Sequence, residues 1–597
     1  MTPIYIDGRF GWLHAPAEGG HAPAEGGHAP VGVVLCPAFA QEEVCTHHGL
    51  MALGEALAAR GVAAVRFDYG GTGDSIDGPV TLDGLIADAE AAAAWLRGHT
   101  QVDRVMLAGV RLGAAVAMLA AKRLDDVSAL VLLAPVLSGQ AFLRETRASA
   151  AVASLSGLDP VPPLESDQPL NTNGFRWTAA FQREVAAIDL TTTEAPVETA
   201  LFVPPRTDRR SAKLAQRWRD AGGAATELPF ADYDGWMQDP TTNETPVDTF
   251  AAVADWVAQH AGTPAGAAIA PLRDAISLTT DSYIEEPLRF GPDDALFGML
   301  CRPAGRPAAP VAALLMHEGS THHIGNGRAY VRLARRLAAE GFASLRMDLT
   351  GMGDSPAGDN PRHPHYDPER IPEGVASLDC LEAQGFPRAI VAGLCSGAHT
   401  ALQVTLADER AVGSVVLNLQ KFIWHYGDDI RVAVRDNKRS LKGYIRAMRN
   451  PGEWRRMLKG EADLPGIARV LAKRSAVRLR HAATSLLPPK PGSEAAQVRE
   501  QLQALSARGA HVHLVFSDED PGLADMGMKL GRGARLLRQY PPVRMVTLDR
   551  ADHHFNGTLA RDRHIEMMIA AMTDAVAAHG AGLPPVSPRT ELPAAAE

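Results

Sequence analysis

The chain has 597 residues, 46% hydrophobic and 21% charged, and its 59 Lys and Arg against 69 Asp and Glu leave a net charge of −10. That balance excludes a wholly disordered chain, a collagen-like fibre and a small disulfide scaffold, and it argues against a surface built for nucleic acid. At roughly 150 residues per domain the length predicts two to four folding units.

Five cysteines (Cys36, Cys45, Cys301, Cys380 and Cys395) are few and odd in number, which predicts reduced thiols and a cytoplasmic setting. No apolar run reaches the 18 or so residues that span a bilayer, and the opening residues lack the basic and apolar regions of a secretory signal. Residues 14–30 repeat HAPAEGG and end in HAP. This Gly, Pro and Ala content predicts an exposed loop, and the three regularly spaced histidines read as low-complexity expansion rather than a metal site.

A short apolar run at 31–36 is followed by a helical stretch at 48–60, a second apolar run at 62–67 and a Gly-rich turn. A helix at 82–97 and a third apolar run at 104–108 lead into Gly109-Val-Arg-Leu-Gly113 and an Ala-rich helix. Strands alternating with helices predict a mostly parallel sheet flanked by helices. Then the chain repeats itself. LAARGVAAVRFDYGGTGDS at 57–75 and LAAEGFASLRMDLTGMGDS at 337–355 share eleven of nineteen positions at an offset of 280, and the apolar runs 31–36 and 311–316 match at the same offset. A period this long means two copies of a whole domain. The expected organisation is a first domain over 1–262, a linker at 263–275, a second domain over 276–582 and a disordered Pro- and Ala-rich tail at 583–597.

In the second copy a strand at 388–392 runs into Gly393-Leu-Cys-Ser-Gly397. Glycines two residues either side of Cys395 allow strand and helix to pack closely around it, whereas centring on Ser396 would place Leu394 and Ala398 at the crowded positions. Cys395 is therefore the candidate nucleophile, with Ser396 second. Strand–G-x-nucleophile-x-G–helix resembles the elbow of the α/β-hydrolase superfamily, and the resemblance extends over about 31–575. It implies two tandem α/β-hydrolase domains, the second with a helical lid at about 419–505. It also implies the order nucleophile, acid, histidine. Asp520, preferred to Asp518, follows the strand at 511–516; His553, preferred to His554, follows the strand at 543–548. A thiol needs a paired imidazole to become a thiolate at neutral pH, and the carboxylate orients that imidazole.

The oxyanion donors implied by the family are the amides of Ser396 and Gly319. Glu318 stands where the family often has glycine, so it is expected to orient substrate, to bind His322, or to face solvent. More narrowly, the first half resembles the hydrolase 1 type proteins of the exosortase A system, and the second resembles bacterial hydrolases with a GLCSGA elbow and the segment His322-His-Ile-Gly-Asn-Gly-Arg328. Dienelactone hydrolase also has a cysteine elbow but lacks the insertion. The first copy carries Arg111 at the elbow tip and no histidine in Phe230-Ala-Asp-Tyr-Asp-Gly-Trp236; Asp208 remains as an acid without a partner. Arginine cannot act as a nucleophile, so this half is expected to be a pseudoenzyme. A buried Arg111 needs a carboxylate, from the protein or from a ligand.

Residues 421–480 hold sixteen Lys and Arg against six Asp and Glu, punctuated by Trp424, Tyr426, Tyr444 and Trp454. This reads as a solvated lid face or as a docking surface for an acyl carrier protein or coenzyme A, with Trp424 and Tyr426 among the substrate-binding candidates together with Glu318 and His322. The expected function is ester or thioester hydrolysis or acyl transfer through Cys395, as a thioesterase or acyltransferase of secondary metabolism. A carboxylesterase or dienelactone-hydrolase-like enzyme is the alternative, and a non-catalytic scaffold of two pseudo-hydrolase domains a further one. Neither cofactor nor metal is expected.

Overall fold

The computed structural model describes residues 1–16, 31–100, 102–153, 167–206, 208–238, 240–261, 276–319, 321–356, 366–425, 489–518, 520–580 and 586. The chain forms two compact units that divide close to Thr280. The expected linker at 263–275 and most of the lid expected at about 419–505 lie outside the described residues. No helix among those described is long and apolar enough to cross a membrane.

In the first unit, strands β1 (Thr2–Ile6), β2 (Arg9–His14), β3 (Val31–Cys36), β4 (Ala64–Phe67), β5 (Arg104–Val110) and β6 (Val127–Leu133) are followed by a small hairpin of β7 (Leu170–Thr172) and β8 (Phe175–Trp177). Strands β9 (Thr199–Val203) and β10 (Ala224–Glu227) complete the set. The main sheet runs β1-β2-β4-β3-β5-β6-β9-β10. Its first two pairings are antiparallel and the others parallel. Strand β3 is buried at every residue, as a parallel strand covered on both faces must be. Core clusters occupy both faces of the sheet.

The second unit repeats this plan. Its strands are β11 (Leu278–Thr279), β12 (Tyr283–Phe290), β13 (Leu296–Pro303), β14 (Val311–Met316), β15 (Ser344–Asp348), β16 (Arg388–Leu394), β17 (Ala411–Leu417), β18 (His511–Ser517) and β19 (Arg544–Leu548). They are ordered β11-β12-β13-β15-β14-β16-β17-β18-β19, with β12–β13 and β13–β15 antiparallel and the rest from β15 onward parallel. The duplication read from local identity is thus a duplication of topology.

Most predicted elements appear, with shifted ends. The helix expected at 48–60 spans Gln41–Ala58, and that expected at 82–97 spans Leu82–His99, where the Thr81 side chain accepts the Gly84 N–H and caps the first turn. The β1–β2 hairpin was not anticipated, although its signal is local: Asp7 and Gly8 both take positive φ (48° and 81°), the geometry of a two-residue hairpin turn. Also unforeseen is a buried ion cluster under the second sheet. Glu285 on β12 accepts from Arg335 Nε at 3.0 Å and from Arg346 at 2.6 Å, with Glu285 and Arg346 fully buried.

Candidate active site

The site of the second unit is built at the carboxyl ends of its parallel strands. Strand β16 ends at Leu394, and the helix Ser396–Ala407 begins two residues later. Cys395 joins them with φ 56° and ψ −112°, a conformation that L-residues adopt only under constraint. Its N–H is tied to Leu417 O at 3.0 Å. The flanking glycines are required: a Cβ on Gly393 would meet Gly397 O at 2.2 Å, and one on Gly397 would meet Met316 O at 2.4 Å and His317 O at 2.5 Å. Gly397→Ala must therefore push β14 and the following loop aside. It is expected to lower the stability of the second unit by about 1–3 kcal/mol in urea unfolding and to reduce turnover with it.

Strand β18 carries Asp520 three residues past its end, and the loop after β19 carries His553. His553 Nδ1 lies 2.6 Å from Asp520 Oδ2, and the Cys395 sulfur lies near its ring. Burial pulls the imidazole down, but the Cys395 sulfur and the Asp520 carboxylate outweigh it and hold His553 well above its ordinary value. Buried Asp520 also accepts from Gln420 Nε2 at 2.9 Å and from the Gly522 N–H at 2.7 Å. Asn418, fully buried with φ 47°, donates to His553 O at 2.7 Å and accepts the Ser517 N–H at 2.8 Å. It therefore clamps the histidine loop to the strand that carries the acid. Sequence reasoning missed both residues. Carrying the elbow offset of 284 forward would have exposed them, because the first copy has Ala134 and Val136 there.

Asp520→Asn removes the carboxylate that selects the His553 tautomer while keeping its volume. A loss of about 10³–10⁴ in kcat is expected, measured beside an unchanged urea midpoint.

Of the settings expected for Glu318, solvent exposure is not the one found: the residue is buried, and its Oε2 lies 2.9 Å from His554 Nδ1. Burial raises a carboxyl, yet the histidines around it, His554 first, hold Glu318 below its ordinary value. His554 in turn loses to burial and gains more from Glu318, ending above its ordinary value. The two adjacent rings stand edge to face, centroids 4.9 Å apart at 86°, so each reaches a different carboxylate. His322 packs against His323 at 5.1 Å.

Gly319 and Ser396 come together: the Gly319 N–H donates to Ser396 Oγ at 3.0 Å. Trp424 stacks on Tyr366 at 4.5 Å and 11°, and the Tyr366 hydroxyl lies 3.9 Å from Cys395 Sγ. Tyr366 gave no signal in the sequence. Tyr426 and the basic segment beyond it lie outside the described residues. His323, Asp348 and Asp354 form a buried trio, but Asp348 already accepts from His323 N–H (2.7 Å) and Asp354 N–H (2.8 Å) and lies 2.6 Å from His323 Nδ1. The trio locks the Gly-rich turn.

The first unit retains the elbow, with an arginine at its tip. Arg111 takes φ 53° and ψ −116°, with its N–H on Leu133 O at 3.0 Å. Its guanidinium is held by protein carboxylates, Glu42 at 2.9 Å and Glu145 at 2.8 Å, which answers whether the protein can supply its partner. Asp208, expected to stand alone, instead caps the helix Arg209–Asp220 by accepting from Arg210 and Ser211 N–H.

A family model described as the alpha/beta hydrolase family matches residues 313–563, and one described as serine aminopeptidase, S33 matches residues 38–187. Among solved structures, Est1E from Butyrivibrio proteoclasticus with ferulic acid bound is 19% identical, with a TM-score of 0.32, over 44% of this chain and 99% of that one. The proline iminopeptidase of Mycobacterium smegmatis is 15% identical (TM-score 0.30) over 49% of this chain and 99% of that one. A meta-cleavage product hydrolase from Pseudomonas fluorescens IP01 is 13% identical (TM-score 0.28) over 49% and 98%. Likeness at this level carries no mechanistic weight. No curated protein matches the chain.

Proposed function

Both halves of the chain belong to the α/β-hydrolase superfamily, and from that premise we propose that the second half hydrolyses or transfers an acyl group through a thioester on Cys395. The observation that carries this reading is the His553–Asp520 pair at 2.6 Å, with the Cys395 sulfur near enough to the same imidazole to raise its proton affinity. In the first step the thiol proton passes to His553 Nε2 and sulfur bonds to the carbonyl carbon, placing charge on the carbonyl oxygen. The amides of Ser396 and Gly319 hold that oxygen, which requires the Ser396 hydroxyl to release the Gly319 N–H it now accepts. Collapse breaks the bond to the alkoxide or thiolate, which leaves with the proton from His553. Water or an acceptor then attacks the acyl carbon, gives its proton to His553 and releases the cysteine.

A sulfur nucleophile favours thioester exchange, so a thioesterase or acyltransferase, as in secondary metabolism, is preferred here to a general esterase. A carrier-borne acyl group fits the basic run at 421–480, whose sixteen cations against six anions would attract an acidic carrier or coenzyme A phosphates. The first half, with Arg111 at its elbow, is read as non-catalytic. Single-turnover mass spectrometry with an acyl thioester tests the proposal. A mass increase confined to the peptide bearing Cys395 is expected; an acyl adduct on Ser396, or none, would overturn it.

A further inference from the structure

Among the described residues the sulfur of Cys395 has two polar neighbours, and the relay uses one of them. The other is Tyr366, whose hydroxyl stands 3.9 Å from Sγ. Tyr366 is 1% exposed, and a buried phenol must find a hydrogen-bond partner. Among the described residues Cys395 is the partner recorded for it. The ring is held in place by the parallel stack on Trp424 and by the edge of His399 at 5.3 Å. That histidine is not a competing cation: burial pushes it down to about 4, and its Nδ1 lies 3.0 Å from Lys421 O. Among the described residues, other titratable groups around the sulfur are His553, Asp520 behind it, and the His554–Glu318 pair beside it. The copies also differ in length here. Their offset grows from 280 at Ser355 to 284 at Gly393, so Tyr366 lies in the stretch where the second copy gained four residues.

The geometry points to Tyr366 as a hydrogen-bond donor to the Cys395 thiolate, a second hold on the nucleophile that the elbow and the triad do not provide. The inference rests on the acyl-enzyme reading above. No proton leaves the phenol, whose burial pushes its own ionisation well above the ordinary value. The thiol proton goes to His553, and the Tyr366 O–H points at the resulting negative sulfur. A donor to the charged form makes that form easier to reach. As sulfur bonds to carbon its charge moves to the carbonyl oxygen, so the Tyr366 bond is stronger before attack than during it. Removing the donor should therefore leave fewer thiolates, each of them more nucleophilic.

Tyr366→Phe keeps the ring and its stack and deletes the donor. The test is the pH dependence of Cys395 alkylation by iodoacetamide in the full chain, read by peptide mass spectrometry, alongside kcat/KM with an acyl thioester. The acid limb of both profiles is expected to move up by about one pH unit, a tenfold loss below the limb. The high-pH plateau should rise about two- to threefold, because nucleophilicity grows with basicity. Trp424→Leu, which frees the ring without touching the hydroxyl, is expected to shift the limb in the same direction by less. A structural role for Tyr366 would lower the plateau and leave the limb in place, and that result overturns the proposal. If wild-type Cys395 neither alkylates nor takes an acyl adduct, the acyl-enzyme reading fails and the Tyr366 role falls with it. An unmoved limb in Tyr366→Phe, with a wild-type adduct present, overturns the Tyr366 role alone.

Discussion

Cys395→Ala is expected to lower turnover of any acyl substrate by about 10⁴–10⁶ and to abolish the covalent adduct, while the chain stays folded. The size follows from how the site is arranged. His553 and Asp520 act only through the sulfur, so removing it idles the whole relay, and what remains is binding plus the oxyanion amides. Alanine also suits the position sterically no worse than cysteine, since both need the same positive φ. Stability should therefore move little, and the comparison is clean: loss of rate with an unchanged urea midpoint. Turnover in the alanine variant within tenfold of wild type would assign the chemistry elsewhere. The first unit is an unpromising alternative, because its elbow tip carries a guanidinium clasped by Glu42 and Glu145.

Glu285→Ala is expected to produce the largest loss of stability, about 3–5 kcal/mol in the unfolding transition of the second unit. Glu285 is fully buried on β12, and it answers two buried guanidiniums from different elements, Arg335 on the helix Ala329–Ala339 and Arg346 on β15. Removing the carboxylate leaves both cations deprived of it in a medium where charge is poorly solvated. Urea unfolding followed by circular dichroism reads the effect, and Glu285→Gln should recover part of it by keeping an acceptor. A loss under 1 kcal/mol would mean that the cluster relaxes onto other partners. The cluster also explains how a sheet with antiparallel edge strands joins the parallel core: β13 lies between β12 and β15, and the ion bridge crosses it.

Much of the site was legible before any coordinates because its signals are local. The elbow is a five-residue pattern with a glycine on each side of Cys395, where a Cβ would strike Gly397 O or the end of β14, and the order Cys395, Asp520, His553 is a property of the chain. The choice of Asp520 over Asp518 and of His553 over His554 came from the positions that the family resemblance implies, and a 2.6 Å contact joins these two residues. The partner of Glu318 was not legible, for the opposite reason. Its partner His554 is 236 positions away, and no spacing rule connects a loop after β14 with a loop after β19. Gln420, Asn418 and Tyr366 escaped likewise, each being an ordinary polar residue until strand ends converge around it.

By itself the sequence determined that one domain plan occurs twice, that the plan is a helix-flanked parallel sheet, and that only the second copy keeps nucleophile, acid and base in order. These follow from periodicity, identity at constant offset and steric rules acting over a few residues. The tertiary structure alone decided which charge answers which: Arg111 with Glu42 and Glu145, Glu285 with two arginines, Glu318 with His554, and the Tyr366 hydroxyl with the Cys395 sulfur. Burial makes an unanswered polar group costly, so each finds a partner, but which partner depends on where the ends of distant strands meet in space.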